Sequence, residues 1–462
     1  MNQTIRRSIS ILFASVLLLS LASCEEKPVT TESAGLQVQS ETQSKPMLPA
    51  PLKILSVSEP DSRMANFPAG ATTEASPIFF TQGADRYMIT MTSYSTLTKF
   101  LPGKGLDSLF TEMQALDYEG QARWITHPQY MGPNGYASTT KLNQLQEWED
   151  GATYWKRNYL GISDVQQITL AGKEYLFCIG HGENKNEKFM DGRKYLNTIL
   201  PKRAYSDSEF SGPIMKEGRL IYNDNPDTYF AFVTAMLIPV DRIGTDDFDA
   251  VEYDLGPVIW PSIPYVRRDG SSVNGTVKHP SLFMEGKYLY LYYVEQDYLR
   301  VARAEIGNDG KIIPFYKLVS DQFDSLALPA GFDKSKRSFL EQATARGDDI
   351  LGESGTIRFS VAKLEGTPYY IGIQESATFW PQVKTKLHLS KDLVNWSAGV
   401  EIPSMSGMSY SDSYYHYPVF GNEEGTSQKS IHPAAFYVYS IYGSSTGQNR
   451  LYRTKLSISV EE

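Results

Sequence analysis

The sequence predicts an all-β chain, and within that class a five-bladed β-propeller, on three observations. Helical periodicity is scarce, and one hairpin unit recurs along the chain. The 30 Tyr, 21 Phe and 6 Trp suit pleated, partly buried surfaces.

The recurring unit is an opening segment, about four to six apolar residues, a small turn and a Tyr-rich strand. Its first copy is "SPIFFTQGADRYMITMTSYS" from Ser76, and its second is "DVQQITLAGKEYLFCIGHG" from Asp164. The third is "HPSLFMEGKYLYLYYV" from His279, and the fourth is "RFSVAKLEGTPYYIGIQES" from Arg358. The last, "HYPVFGNEEGTSQKSIHPAAFYVYSIYG" from His416, has a longer turn. The spacing is uneven, as in four-stranded blades with insertions on one face. Radial repetition also covers the edge of each sheet with its neighbours. One insertion, "GLDSLFTEMQAL" over Gly105–Leu116, has helical patterning. No Pro/Ser-rich linker interrupts residues 53–462, so they are expected to form one domain.

In "LHLSKDLVNWS", Leu387 to Ser397, a strand ends in Ser-x-Asp, the chain turns and a Trp fills the return. Asp392 and Asn395 are suited to bonding local backbone groups, and Trp396 to wedging between strands. This turn, with the five units, resembles the S-x-D-x-x-x-W turns of five-bladed propeller glycoside hydrolases such as families 43, 32 and 117. The resemblance implies that the strand openings meet at one end of a central channel. Those openings are Ser76 with Glu74 just before it, Asp164, His279, Arg358, and His416 with Tyr417.

Carried over position by position, the first-blade Asp of family 43 falls on Ser76, and Asp164 matches an acidic opening. His279 stands where the third unit would carry Asp, and the expected Glu falls near Arg358. An Asp164 base with a His279 acid resembles the family 117 arrangement. His279 suits proton donation because an unperturbed imidazole titrates near pH 6.5. Glu353, in "LGESGTIRF", is a second candidate acid. Glu74, Ser76, Arg358, His416 and Tyr417 are candidate sugar-binding residues. So are His181 and Glu183 in "GHGENKNE", expected in a loop over the pocket. That spacing does not match the H-E-x-x-H zinc pattern. No cofactor is expected; the resemblance allows a single axial calcium or sodium ion, which no residue pattern specifies.

The N-terminus reads as an address. Arg6 and Arg7 precede a short apolar run ending in "LASC", which resembles the lipobox of bacterial lipoproteins. The resemblance implies a signal peptide over residues 1–23, a lipidated Cys24 and an outer-membrane lipoprotein, periplasmic or cell-surface. Glu25 and Glu26 resemble surface-export signals in Bacteroidetes-type lipoproteins. Residues 24–52 are polar and expected to be a tether. Cys178 then has no intrachain partner and is expected to be a small buried apolar residue. A net charge of -9 without a basic stripe argues against nucleic acid.

The expected protein is thus a monomer, held at a membrane only by its lipid, that acts on oligosaccharide or polysaccharide. Glycoside hydrolysis is the leading chemistry. The alternatives are a non-catalytic glycan-binding propeller, or a lyase acting on uronic-acid polymers through Arg358, a His and Tyr417.

Overall fold

The computed structural model describes residues 51–61, 77–90, 96–99, 123–124, 159–184, 230–242, 253–262, 277–332, 342–379, 382–409, 413–444 and 450–461. These build five sheets, antiparallel apart from one short parallel pairing. Blade one holds Ile78–Gln82, Asp85–Thr90, Thr96–Lys99 and Arg123–Trp124. Blade two holds Tyr159–Leu170, Lys173–Asn184, Phe230–Pro239 and Tyr253–Ile259. Blade three holds Val277–Glu285, Tyr288–Glu295, Tyr298–Glu305, Tyr316–Val319 and Gln322–Leu326. Blade four holds Thr356–Leu364, Tyr370–Phe379, Gln382–Ser390 and Val400–Glu401. Blade five runs outward from Ser413–Asn422 through Phe436–Ser444 and Arg450–Val460 to Leu52–Val57.

Blade five therefore takes its outermost strand from the other end of the chain, with Leu52 opposite Val460. Just beyond that strand, Arg453 Nε meets the Asp61 carboxylate at 3.1 Å. A ring closed by its own first strand leaves fewer open sheet edges.

The radial order follows from what lies between the sheets. Ile78, Phe80 and Tyr87 of blade one pack on Val165, Leu176 and Cys178 of blade two. Phe177 and Ile179 of blade two pack on Leu282, Leu291 and Tyr293 of blade three. Tyr292 of blade three meets Phe359 and Trp396 of blade four, and Ile371 and Ile373 of blade four share a core with Phe420 and Val438 of blade five. Phe79 and Tyr439 close the circle, with ring centres 6.0 Å apart. Each sheet is thus apolar on both faces, so its strands read as apolar runs rather than clean alternation. Cys178 is one of these core residues, and burial pushes its thiol up.

The Ser390–Trp396 turn forms as its sequence suggests. Asp392 Oδ1 accepts from the backbone N–H of Val394 and Asn395. The Asn395 amide donates to Asp392 Oδ2 instead of to backbone. Trp396 is buried 4.9 Å from Phe359 and 6.1 Å from Tyr292. The tip of the Phe359 ring in turn points at Gly372, where a Cβ would stand 2.1 Å from its Cζ. Gly372→Ala is expected to cost about 1–3 kcal/mol by displacing that ring from the Trp396 cluster. Equilibrium urea unfolding checks it, and an unchanged midpoint would show that Phe359 has room to move.

Candidate active site

Four of the five inner strands carry a β-bulge close to their N-terminal ends. The register shifts fall between Ile162 and Asp164, Lys278 and Ser281, Thr356 and Arg358, and His416 and Val419. An extra residue at one level of several strands re-aims side chains there. In blades three and five the bulge contains an X-Pro pair, His279-Pro280 and Tyr417-Pro418. Both residues before proline have positive φ, 47° and 53°. Proline disfavours a helical backbone before it, and a side chain in the left-handed region costs about 1–3 kcal/mol. Such strain persists where surrounding structure fixes it, which marks this end of the axis as the candidate site.

Three rings meet there. Tyr417 lies 3.4 Å from the ring centre of His416 and 5.4 Å from that of His279. All three are half-buried. Glu375, on the second strand of blade four, reaches across to blade five. One oxygen bonds His416 Nδ1, and the other accepts the Tyr417 backbone N–H at 2.8 Å. Glu375 is wholly buried and His416 keeps 12% of its side-chain surface. Two adjacent residues of the blade-five bulge are therefore held by one carboxylate of the neighbouring blade.

Asp164, beside the blade-two bulge, is also buried. Its Oδ1 accepts the Val165 N–H at 2.8 Å. Its Oδ2 accepts the Leu282 N–H at 2.8 Å and Lys429 Nζ at 2.5 Å. Lys429 belongs to the long turn of the fifth unit and also donates to the Leu282 carbonyl at 2.6 Å. Its neighbour Gln428 accepts from Phe79 N–H and donates to the Val165 carbonyl. The Lys429 carbonyl accepts Lys363 N–H. This turn thus bonds all four other blades. Burial lowers the Lys429 pKa, and Asp164 opposes that shift.

Arg358 is buried too. It spans from blade four to the Ser163 carbonyl of blade two at 2.9 Å. Glu353 lies elsewhere. Both its oxygens bind Lys386 Nζ, at 2.8 and 2.9 Å. Lys386 is on the third strand of blade four, two strands out from the inner one. His181 and Glu183 correct the loop expectation. They belong to the strand Lys173–Asn184, because the second strand of blade two runs on past "CIG" to pair with Phe230–Pro239. Glu74, Ser76, Cys24 and the helical candidate Gly105–Leu116 lie outside the described residues.

Two cationic side chains lie close together at the axis. Asp164 is already taken by an ammonium group, and Arg358 adds a second fixed positive charge. Among the described residues no group of three or more His, Cys, Asp or Glu converges on one point.

One further imidazole is structural. His388 is wholly buried between blades three and four, with Nδ1 at 2.9 Å from the Ser397 carbonyl and Nε2 at 3.1 Å from Gln374 Oε1. Burial pushes its pKa down to about 4. The unfolded chain binds this proton near pH 6.5 and the folded chain only near 4. Its contribution is therefore complete above pH 6.5 and is lost as pH falls from there towards 4, on the order of 3 kcal/mol at most. Urea unfolding at pH 7.0 and 4.5 should show that loss, and His388→Asn should flatten it. An equal pH slope in both proteins would assign the acid lability elsewhere.

No protein-family model matches the chain, and no curated protein matches it. In structure, the chain is similar to the catalytic domain of the GH62 alpha-L-arabinofuranosidase of Coprinopsis cinerea. That match has 10% identity and a TM-score of 0.39, over 88% of this chain and 98% of that one. A mutant alpha-L-arabinanase of Cellvibrio cellulosa matches at 9% identity and TM-score 0.39, over 83% and 92%. The GH32 beta-fructofuranosidase of Bombyx mori matches at 8% and 0.34, over 85% and 62%.

Proposed function

We propose that the protein is a glycan-active enzyme of the glycoside hydrolase type, with its site at the bulged end of the propeller axis. The observation that carries this reading is the meeting of His279, His416 and Tyr417 on two strained bulges from different blades. Half-buried aromatic faces with polar tips suit sugar rings, and an imidazole can both donate and accept a proton. The S-x-D-x-x-x-W turn and the five hairpin units support the same assignment. Uronate elimination fits less well. The guanidinium it would need at the substrate carboxylate, Arg358, is buried and bonded to Ser163.

Lipid attachment at Cys24 is part of the proposal. The outermost strand of blade five starts at Leu52, opposite Val460, at the face away from the bulges. A lipid anchor before Leu52 would then present the bulged end outward from the membrane.

The test is a polysaccharide and oligosaccharide screen with reducing-end and product analysis. Release of reducing sugar without ultraviolet-absorbing unsaturated product supports hydrolysis, and an unsaturated product would replace it with elimination. Calorimetric binding with no product after long incubation would make the propeller a glycan-binding module.

A further inference from the structure

The site contains a carboxylate that nothing above assigns a role. Glu375 lies in the strand Tyr370–Phe379, among residues otherwise apolar, small or neutral. It is wholly buried, so its charge must be met by specific donors. The donors are the imidazole of His416 and the backbone N–H of the next residue, Tyr417. They lie 41 and 42 residues away in the chain and on a different blade.

We propose that Glu375 is a positioning residue that holds His416 as the Nδ1-protonated tautomer, and that His416 Nε2 is the proton acceptor of the reaction. This rests on the glycoside hydrolase reading and deepens it. A carboxylate can only accept from a neutral imidazole, so the ring nitrogen facing it carries the hydrogen. The lone pair then resides on Nε2. The second Glu375 oxygen fixes the backbone of the bulge through Tyr417 N–H, so ring orientation and bulge geometry are set by the same group.

A water molecule gives its proton to Nε2 and forms a bond from its oxygen to the anomeric carbon. The glycosidic C–O bond breaks with its electron pair on the leaving oxygen. That oxygen takes a proton from the His279 imidazolium. After product release, His416 passes its extra proton to solvent and His279 takes one up. The Glu375 carboxylate gains charge complementarity when His416 becomes an imidazolium, which stabilises that state.

The test has two arms on the full protein. Nitrogen-15 spectra of the six labelled histidines read the His416 tautomer directly, with His416→Gln as the assignment control. The expected result is a protonated Nδ1 in the native protein and a redistributed tautomer in Glu375→Gln. A native Nε2-protonated tautomer overturns the positioning role without touching the hydrolase reading, and needs no variant to fold. The second arm is kinetic, on whichever glycan the screen identifies. Glu375→Gln should lower kcat by about 10- to 100-fold with KM nearly unchanged, and Glu375→Asp should recover part of it. Equal losses in both variants, or a change confined to KM, would overturn the role of His416 as acceptor. Absence of turnover on every glycan would overturn the hydrolase reading while leaving the tautomer measurement valid.

Discussion

Asp164→Asn is expected to destabilise the fold by about 3–5 kcal/mol, because it strands the buried Lys429 ammonium without its charged partner. The Asp164 carboxylate has a 2.5 Å contact to Lys429 and two backbone N–H donors, from blades two and three. Lys429→Met should be costly for the reciprocal reason, since it leaves a buried carboxylate with backbone donors only. The double change Asp164→Asn with Lys429→Met removes both charges and should cost less than the sum of the singles. The expected coupling is about 0.5–3 kcal/mol, read from urea unfolding of all four proteins. Strict additivity would mean that the two groups do not interact. The same variants separate the two roles open to Asp164. If it is a structural anchor, the surviving folded fraction of Asp164→Asn should keep turnover per molecule within a few-fold of the native protein. A loss of about 100-fold or more at unchanged stability would make it the catalytic base instead.

His416→Gln is expected to cut kcat by about 10²- to 10⁴-fold, the usual worth of a positioned proton-transfer group. Stability is expected to fall as well, because the change removes the imidazole that meets the wholly buried Glu375 carboxylate, so turnover is read per folded molecule. His279→Ala should give a loss of the same order if it supplies the leaving-group proton. The two losses should not multiply, since groups acting in one step are not independent. Activity is to be measured on the substrate found by the glycan screen, with thermal melts of each variant alongside. Full turnover in both single variants would remove imidazole chemistry from the site and with it the proposed mechanism.

The strand openings show how much of the site could be read in advance. His279, His416 and Tyr417 were legible because each opens a hairpin unit, and X-Pro after His279 and Tyr417 marks a break in an otherwise apolar strand. Asp164 was legible as an inner-strand residue but not as an anchor. Its partner Lys429 is 265 residues away, in a turn that reads only as a longer version of the other four. Glu353 looked axial because it precedes the fourth unit, yet the approach to blade four lies against the third strand through Lys386. Glu375 went unnoticed. A single carboxylate in "YIGIQESATF" was the available signal, since a charge in a strand covered on both faces needs a partner.

By itself the sequence determined the all-β class, the hairpin units and the Ser390–Trp396 turn. Each depends on interactions within a dozen residues: apolar patterning, a Gly or Asp suited to a turn, a Trp returning onto its own hairpin. Only the tertiary structure decided which polar residues meet. Hydrogen bonds between blades join positions tens to hundreds of residues apart, and no local preference encodes them. The ring closure through Leu52–Val57, the bridging of Asp164 and Leu282 by Lys429 and the pairing of Glu375 with His416 are all of that kind.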